Sequence, residues 1–326
     1  MFFEFALIGT TASGKSELAN AIASEFEAII LSLDSLCVYK EINIASAKPD
    51  KTALERVEHF GVNLLSVADK FNVALFFDEY KRARKRAFEF DKALIIVGGT
   101  SFYLRALMSG LSQNVPESTT PLSNDAIFAL MSELDKNAKI APNDTYRLRK
   151  WLSIYENTGQ IPSEFQKKSL QEPLIKELEI FELVVDKENL RQKVEFRTQN
   201  MLKMGLVDEA RALFAKFDES LKPLNSIGLK ECKDFLAGKI THAELATLIN
   251  THTMQLAKRQ RTFNKKFKRV QICGDEALQS RMRIWMRLCR HSKKLNVWIL
   301  SRSLTAELIP LSVQTVYIFP EERHKE

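Results

Sequence analysis

Eight residues near the amino terminus have the types and the spacing to hold a polyphosphate. Gly9-Thr10-Thr11-Ala12-Ser13-Gly14-Lys15-Ser16 satisfies the pattern Gly, four residues, Gly-Lys-Ser. The glycines let the backbone curl until its N–H groups face an anion. A helix starting at the end of the loop adds partial positive charge at the same point. Lys15 supplies a mobile full charge, and the Ser16 hydroxyl is suited to hold Mg2+. A glycine turn that merely joins a strand to a helix needs none of these side chains. The loop points to a diphosphate or triphosphate ligand and leaves the reaction open.

Such a cradle works only between a strand and a helix, and the flanking sequence supplies both. Residues 2–8 form a short apolar run before the loop, and residues 15–25 have helical character after it. Two further apolar runs, 28–33 and 93–97, end at Asp34-Ser35 and at Gly98-Gly99-Thr100. All three runs are continuous rather than alternating, which predicts strands buried on both faces of a parallel sheet. The polar residues after each strand mark the carboxyl edge, where open α/β sheets bind their ligands. Residues 71–90, including Lys81-Arg82-Ala83-Arg84-Lys85-Arg86, read as a crossover helix. Around 109–120 the texture turns to Ser, Thr, Pro and Asn, where an insertion begins, and helical patterns follow to about 169. A candidate strand at 180–185 and long helices at 189–217 and 242–266 complete the pattern, without internal repeats.

Bulk properties exclude several classes. With 45% hydrophobic and 27% charged residues the chain reads as an ordinary globular protein. No apolar run approaches the ~20 residues of a membrane span. The start, Met1-Phe2-Phe3-Glu4-Phe5, reads as a core strand rather than a secretory signal. Cys37, Cys232, Cys273 and Cys289 are scattered, which argues against a disulfide framework or structural zinc and for a reduced, cytoplasmic protein. His242 and His252 show no ligand spacing. The net charge of +7 suits a polyanionic partner.

Several blocks, in order, carry a family resemblance. They are the Thr-Ala-Ser-Gly-Lys-Ser form of the cradle, Asp34-Ser35-Leu36-Cys37-Val38-Tyr39, Ala45-Ser46-Ala47-Lys48-Pro49 and Gly98-Gly99-Thr100-Ser101-Phe102-Tyr103. Downstream come Pro142-Asn143-Asp144-Thr145-Tyr146-Arg147, the Arg197 to Leu206 helix, Ser226-Ile227-Gly228-Leu229-Lys230-Glu231 and Ala257-Lys258-Arg259-Gln260-Arg261-Thr262-Phe263. Over roughly residues 5 to 267 this resembles the tRNA dimethylallyltransferase (IPP transferase) family. There are departures. Cys37 stands where the family usually has Gln, Lys150 and Lys193 where it has Arg, and Phe263 where it has Trp. The segment between Leu111 and Asn143 is shorter than usual.

The resemblance implies transfer of a dimethylallyl group from dimethylallyl diphosphate to N6 of adenosine 37, beside the tRNA anticodon, to form i6A. It implies that the cradle, Mg2+ and Arg197 stabilise the departing diphosphate, although Arg197 alone could be a helix-surface arginine. Asp34 is implied as general base; holding a Mg2+ water is its alternative role. Thr100 would hydrogen-bond the adenosine or a phosphate, or else serve only as a helix N-cap. Asp34, Ser35, Leu36 and Cys37, together with Thr100, would contact tRNA, as would Tyr146, Arg147, Leu148, Arg149 and Lys150. A solvated helix face is the plain alternative for that last group. The Lys81–Lys85 and Lys258–Lys268 runs read as ordinary charged faces.

The expected fold is α/β: a P-loop parallel-sheet core with a small, mainly helical inserted RNA-binding subdomain and a helical C-terminal part. The expected divisions are 1–110 for the first part of the core and 111–175 for the tRNA-binding insert. Residues 176–273 are the mainly helical remainder, and 274–326 are a tail. Arg281, Arg283, Trp285, Arg287, Arg290, Lys293 and Lys294 in that tail suit RNA; the plain alternatives are a lineage-specific appendage or a gene-end irregularity giving non-native sequence. A monomer is expected. Two rivals share parts of the pattern: a P-loop small-molecule kinase or NTPase, for which the same cradle would bind ATP, and a non-catalytic RNA-binding module.

Overall fold

The computed structural model describes residues 2–273; the tail and its basic cluster lie outside the described residues. In chain order the elements are β1 (Glu4–Gly9), α1 (Lys15–Phe26), β2 (Ile29–Ser32), α2 (Lys51–Arg56), β3 (His59–Phe60), α3 (Val73–Glu89), β4 (Leu94–Gly98) and α4 (Ser101–Ser109). Next come α5 (Asn124–Leu134), α6 (Thr145–Thr158), α7 (Pro162–Lys168), β5 (Glu179–Val184), α8 (Lys187–Lys203) and α9 (Leu206–Lys216). A 3-10 turn at Lys222–Asn225, then α10 (Leu229–Leu236), α11 (His242–Asn264) and β6 (Val270–Cys273) close the described chain.

The six strands form one parallel sheet in the order β3-β2-β4-β1-β5-β6. β1 lies inside it, with Ala6 paired to Ile96 on one side and to Ile180 on the other. Both faces are covered, which is why the strands read as continuous apolar runs. Ala6, Ile8, Leu31 and Ile96 pack with Phe76, Tyr80 and Leu104 of α3 and α4. Phe5, Leu7, Ile30 and Val97 pack with Leu18 and Ile22 of α1 on the other side. Each such side chain, fully buried, contributes on the order of 1.5–3 kcal/mol.

Three features depart from expectation. β3 spans two residues, too short to show as a periodic run. Beyond the helix expected at 242–266 no strand is expected, yet Val270–Cys273 form β6, which extends the sheet beside β5. The single helix expected over 189–217 is two, broken at Gly205, whose φ of 96° ends one helix and starts the next.

The insertion stands on its own small core. Ile127, Met131, Leu148, Trp151 and Leu152 pack together between α5 and α6. Buried Asp135 ties in α7, accepting bonds from Trp151 Nε1 (3.0 Å) and Ser163 Oγ (2.6 Å). The chain leaves the sheet after α4 and returns through a narrow neck, where Gln171 N–H donates to Leu111 O (2.9 Å). Gly110 makes the neck possible. Its φ is 75°, and a Cβ there would lie 2.0 Å from the Gln171 carbonyl. A second helical layer, α8 to α11, buries Val38, Tyr39 and Ile42 of the β2–α2 connection within its own core.

Candidate active site

The loop after β1 curls as its glycines require, with left-handed φ at Ala12 (61°) and Gly14 (91°). Gly9 must lack a side chain, because a Cβ there would lie 2.9 Å from Leu183 O. Thr10 and Ser13 are buried beneath the loop, while Ser16 is exposed at the first turn of α1. The Lys15 ammonium folds back and donates to Thr10 O (3.0 Å). Burial first, and then the Arg197 charge, lower its pKa to about 8, with Asp34 partly offsetting them. Arg197, on α8, donates to Thr11 Oγ1 (3.3 Å), and burial lowers its pKa too, opposed by Asp34. Arg197 therefore faces the cradle and is not a helix-surface arginine.

Asp34 follows β2 and caps the next turn. Its Oδ1 accepts from Leu36 N–H (2.8 Å) and Cys37 N–H (3.3 Å), while Ser32 Oγ receives its own N–H (3.2 Å). Among the described residues no hydrogen bond engages the second carboxylate oxygen. Ser35 is exposed and Leu36 half-buried. Cys37 is buried, its thiol directed to Ser46 O (3.9 Å), and burial followed by the nearby Asp34 charge pushes its pKa up. It is a neutral packing residue rather than a nucleophile. Thr100 does occupy the N-cap position of α4, but its side chain makes no capping bond.

These pieces meet in one cavity of about 820 Å3. Thr11, Lys15, Ser16, Asp34, Ser35, Leu36, Cys37, Thr100 and Arg197 all line it, and so does Tyr146 from the insert. The Gly9–Ser16 loop, the Asp34 carboxylate and the strand-end residue Thr100 thus open on one space.

The basic stretch on α6 behaves differently. Tyr146 is 77% exposed. Arg147 is also exposed, paired to Asp144 at 3.1 Å. Leu148 is fully buried in the insert core and its N–H bonds Asp144 O, so it is corrected from RNA contact to packing residue. Arg149 donates to the Thr120 (2.7 Å) and Leu122 (2.5 Å) carbonyls, which makes it a brace for the insert's own loop rather than a phosphate grip. Lys150 reaches Asn114 Oδ1 (2.6 Å). The Lys81–Lys85 run is an ordinary charged face, with Lys81, Arg82, Arg84 and Lys85 each beside a carboxylate.

Two residues outside the expected set shape the site. Gln260, on α11, accepts the Thr11 N–H on its Oε1 at 2.7 Å. Glu209, on α9, accepts N–H bonds from Asn43 (2.9 Å), Ile44 (2.8 Å) and Ala45 (2.9 Å), and so moors the loop that follows Cys37. Gln260 lies in a block that carries the family resemblance; nothing in its spacing marks Glu209. Sequence placed Glu231 in a turn motif, and it proves to be a buried cap, bonding Gly228 N–H (2.6 Å) and His252 Nδ1 (2.5 Å).

Comparison with known proteins gives the family. The family model described as IPP transferase matches residues 37–267. A tRNA dimethylallyltransferase of Campylobacter lari is 61% identical over 280 residues, covering 86% of this chain and 96% of its own. One from Campylobacter jejuni is 58% identical over 278 residues, covering 85% and 96%. Among solved structures, a tRNA delta(2)-isopentenylpyrophosphate transferase of Staphylococcus epidermidis is 24% identical, with a TM-score of 0.65 over 90% of this chain and 100% of its own. A eukaryotic dimethylallyltransferase acting on tRNA has a TM-score of 0.68 at 24% identity, over 96% of this chain and 84% of its own. These structures share the fold, and with most of the described residues inside the family model the chain belongs to the IPP transferase family.

Proposed function

We propose that the protein is a tRNA dimethylallyltransferase. It moves the prenyl group of dimethylallyl diphosphate to N6 of adenosine 37 beside the anticodon. The observation that carries this reading is the opening of Lys15, Arg197 and Asp34 on one cavity. The name of the relatives, 58–61% identical over nearly their whole length, supports it.

The chemistry follows from charge. The bond between the prenyl carbon and the diphosphate oxygen breaks, and negative charge grows on the leaving group. Lys15, Arg197 and the loop N–H groups other than those of Thr11 and Ser13 are preorganised around that charge, so they bind the transition state more tightly than the ground state. N6 of adenine forms the new bond to the carbon and becomes acidic as it does so. Asp34, otherwise a weak base, accepts the proton at its second oxygen at that stage. Pyrophosphate and prenylated adenosine leave. Thr100, with an uncommitted hydroxyl, hydrogen-bonds the adenosine.

Ser16 presents a hard oxygen donor on the same cavity, which fits Mg2+, an ion that needs few protein ligands when a diphosphate supplies the rest. When bound, Mg2+ neutralises charge on the diphosphate, and the Ser16 hydroxyl would hold it. A paired adenine hides N6, so the substrate is an anticodon loop with its base turned out into the cavity. Segment 111–175 serves as the tRNA-gripping subdomain, with Tyr146 stacking and Arg147 on phosphate. The enzyme acts as a cytoplasmic monomer; among the described residues no helix is long and apolar enough to cross a membrane. The small-molecule kinase reading is not favoured, since the relatives carry a tRNA-modifying name. The test is mass analysis of nucleosides after unmodified tRNA is incubated with dimethylallyl diphosphate and Mg2+. Appearance of i6A supports the reading, and its absence with phosphate released from ATP overturns it.

A further inference from the structure

Gln260 is the one residue of the 257–263 block whose side chain enters the cavity, and the chemistry above gives it no task. Its two ends touch two different loops. The carbonyl oxygen accepts the N–H of Thr11, in the phosphate cradle, at 2.7 Å. The amide nitrogen lies against Gly99, so close that a Cβ there would stand 2.3 Å from it. Gly99 precedes Thr100, the residue assigned to the acceptor adenosine. One rigid amide therefore spans from the donor side to the acceptor side.

The helix that carries Gln260 is itself pinned one turn on. Asn264, fully buried, accepts from Ser101 Oγ (2.7 Å) and donates to Glu182 Oε1 (2.9 Å). Arg261 reaches Val185 O (3.4 Å). α11 is thereby fixed to α4 and to the end of β5, and Gln260 cannot drift relative to either loop. The Thr11 N–H is committed to Gln260. The Thr11 hydroxyl accepts from Arg197 (3.3 Å), so the amide that fixes Thr11 also sets where that guanidinium sits.

We infer that Gln260 is a positioning residue: it fixes the separation and alignment of the diphosphate cradle and the adenosine loop, so that the reacting carbon and N6 lie in line. This rests on the proposed prenyl transfer. Each substrate still binds without it, because each keeps its own contacts. Alignment matters only when both are present and reacting, and displacement by about 1 Å can cost ~100-fold in rate.

The experiment measures kcat, both KM values and Tm for Gln260→Leu, Gly99→Ala and their double variant, beside the unmodified protein. Leu keeps the bulk and loses both polar ends. Gly99→Ala drives a methyl into the same amide from the other side and displaces it without any substitution at Gln260 or Thr11. For Gln260→Leu, kcat falls roughly 100-fold while both KM values stay within about threefold and Tm holds. Gly99→Ala falls by a similar factor, and the double variant is little worse than either, because both changes disable one device. Conservative Gln260→Glu, which keeps an acceptor for Thr11, recovers part of the loss. A kcat within threefold of the unmodified protein, a loss confined to one KM, or fully multiplicative effects would overturn the inference. If Gln260→Leu fails to fold, Gly99→Ala alone decides by the same split. If the unmodified protein makes no i6A, the functional reading has failed, which is a separate result.

Discussion

The phosphate cradle and the basic turn of α6 are both short, contiguous and rich in polar groups, yet they present those groups in opposite ways. In residues 9–16 the backbone reverses through left-handed positions at Ala12 and Gly14, so consecutive groups can converge on one point. Along α6 each residue turns about 100° from the last. Tyr146 and Arg147 face water, Leu148 then enters the insert core, and Arg149 and Lys150 turn back to the insert's own loop. A loop can make a site from neighbours in sequence; a helix makes one only from a stripe. The cradle is also tied across the molecule, by Gln260 and Arg197, whereas α6 is held mainly by its local core. Changes in the first region should therefore strike the reaction, and changes in the second should strike binding or the insert's stability.

The largest effect falls on the carboxylate that shares the loop's cavity and lies outside α6. Asp34→Ala should lower turnover by about 10²–10⁴-fold, the range for losing a general base. Filter binding should find tRNA affinity within a few-fold of the unmodified protein. Turnover surviving within about tenfold would remove Asp34 from that role.

The cradle should also carry a pH signature that α6 lacks. Lys15 has a pKa of about 8, so it loses its proton as pH rises through that value, and a bound polyanion favours the protonated form. Calorimetric binding of inorganic pyrophosphate without Mg2+ should weaken above pH 8, by up to about tenfold per unit. Lys15→Arg keeps its charge throughout and should remove that part of the slope. Equal profiles for the two proteins would show that Lys15 does not govern the dependence.

Stacking at the insert comes next. Tyr146→Ala should raise KM for tRNA by roughly fivefold to a hundredfold, from about 1–3 kcal/mol of base stacking, and leave KM for dimethylallyl diphosphate unchanged. Tyr146→Phe, which keeps the ring, should behave nearly as the parent. If both variants lose affinity alike, the hydroxyl rather than the ring makes the contact.

How far the sequence could be read follows the same division. Strands 1, 2, 4 and 5 and the cradle were legible because double-sided burial forces unbroken apolar runs and the loop's backbone geometry forces its glycines. The meeting of Asp34 and Thr100 at one sheet edge followed from strand ends alone. β3 and β6 were not legible: a two-residue strand has no period, and an edge strand of four residues differs little from a helix end. Glu209 was invisible because its task is to hold three backbone N–H groups far away in sequence, and such a carboxylate carries no local mark. Within 146–150 the sequence carries no mark of which residues a helix turns inward, so Leu148, whose side chain is buried, could not be told from its exposed neighbours Tyr146 and Arg147.

The smallest effects come from two neighbours with the same charge, and they give the finest test of that last point. Arg147 projects to solvent with a single surface partner among the described residues, Asp144. Its replacement by Ala removes one phosphate grip: tRNA affinity should fall about threefold at moderate salt, the salt slope should drop by about one, and Tm should stay put. Arg149 should do the reverse. Its guanidinium braces the Thr120 and Leu122 carbonyls, and Arg149→Ala leaves both without that donor, costing about 1–3 kcal/mol of stability with the salt slope retained. Thermal melts and salt titrations of the two single variants therefore decide between stripe and run. If the two arginines lower the salt slope equally, the turn grips RNA as a continuous stretch, and the distinction between loop sites and helix sites does not hold for this protein.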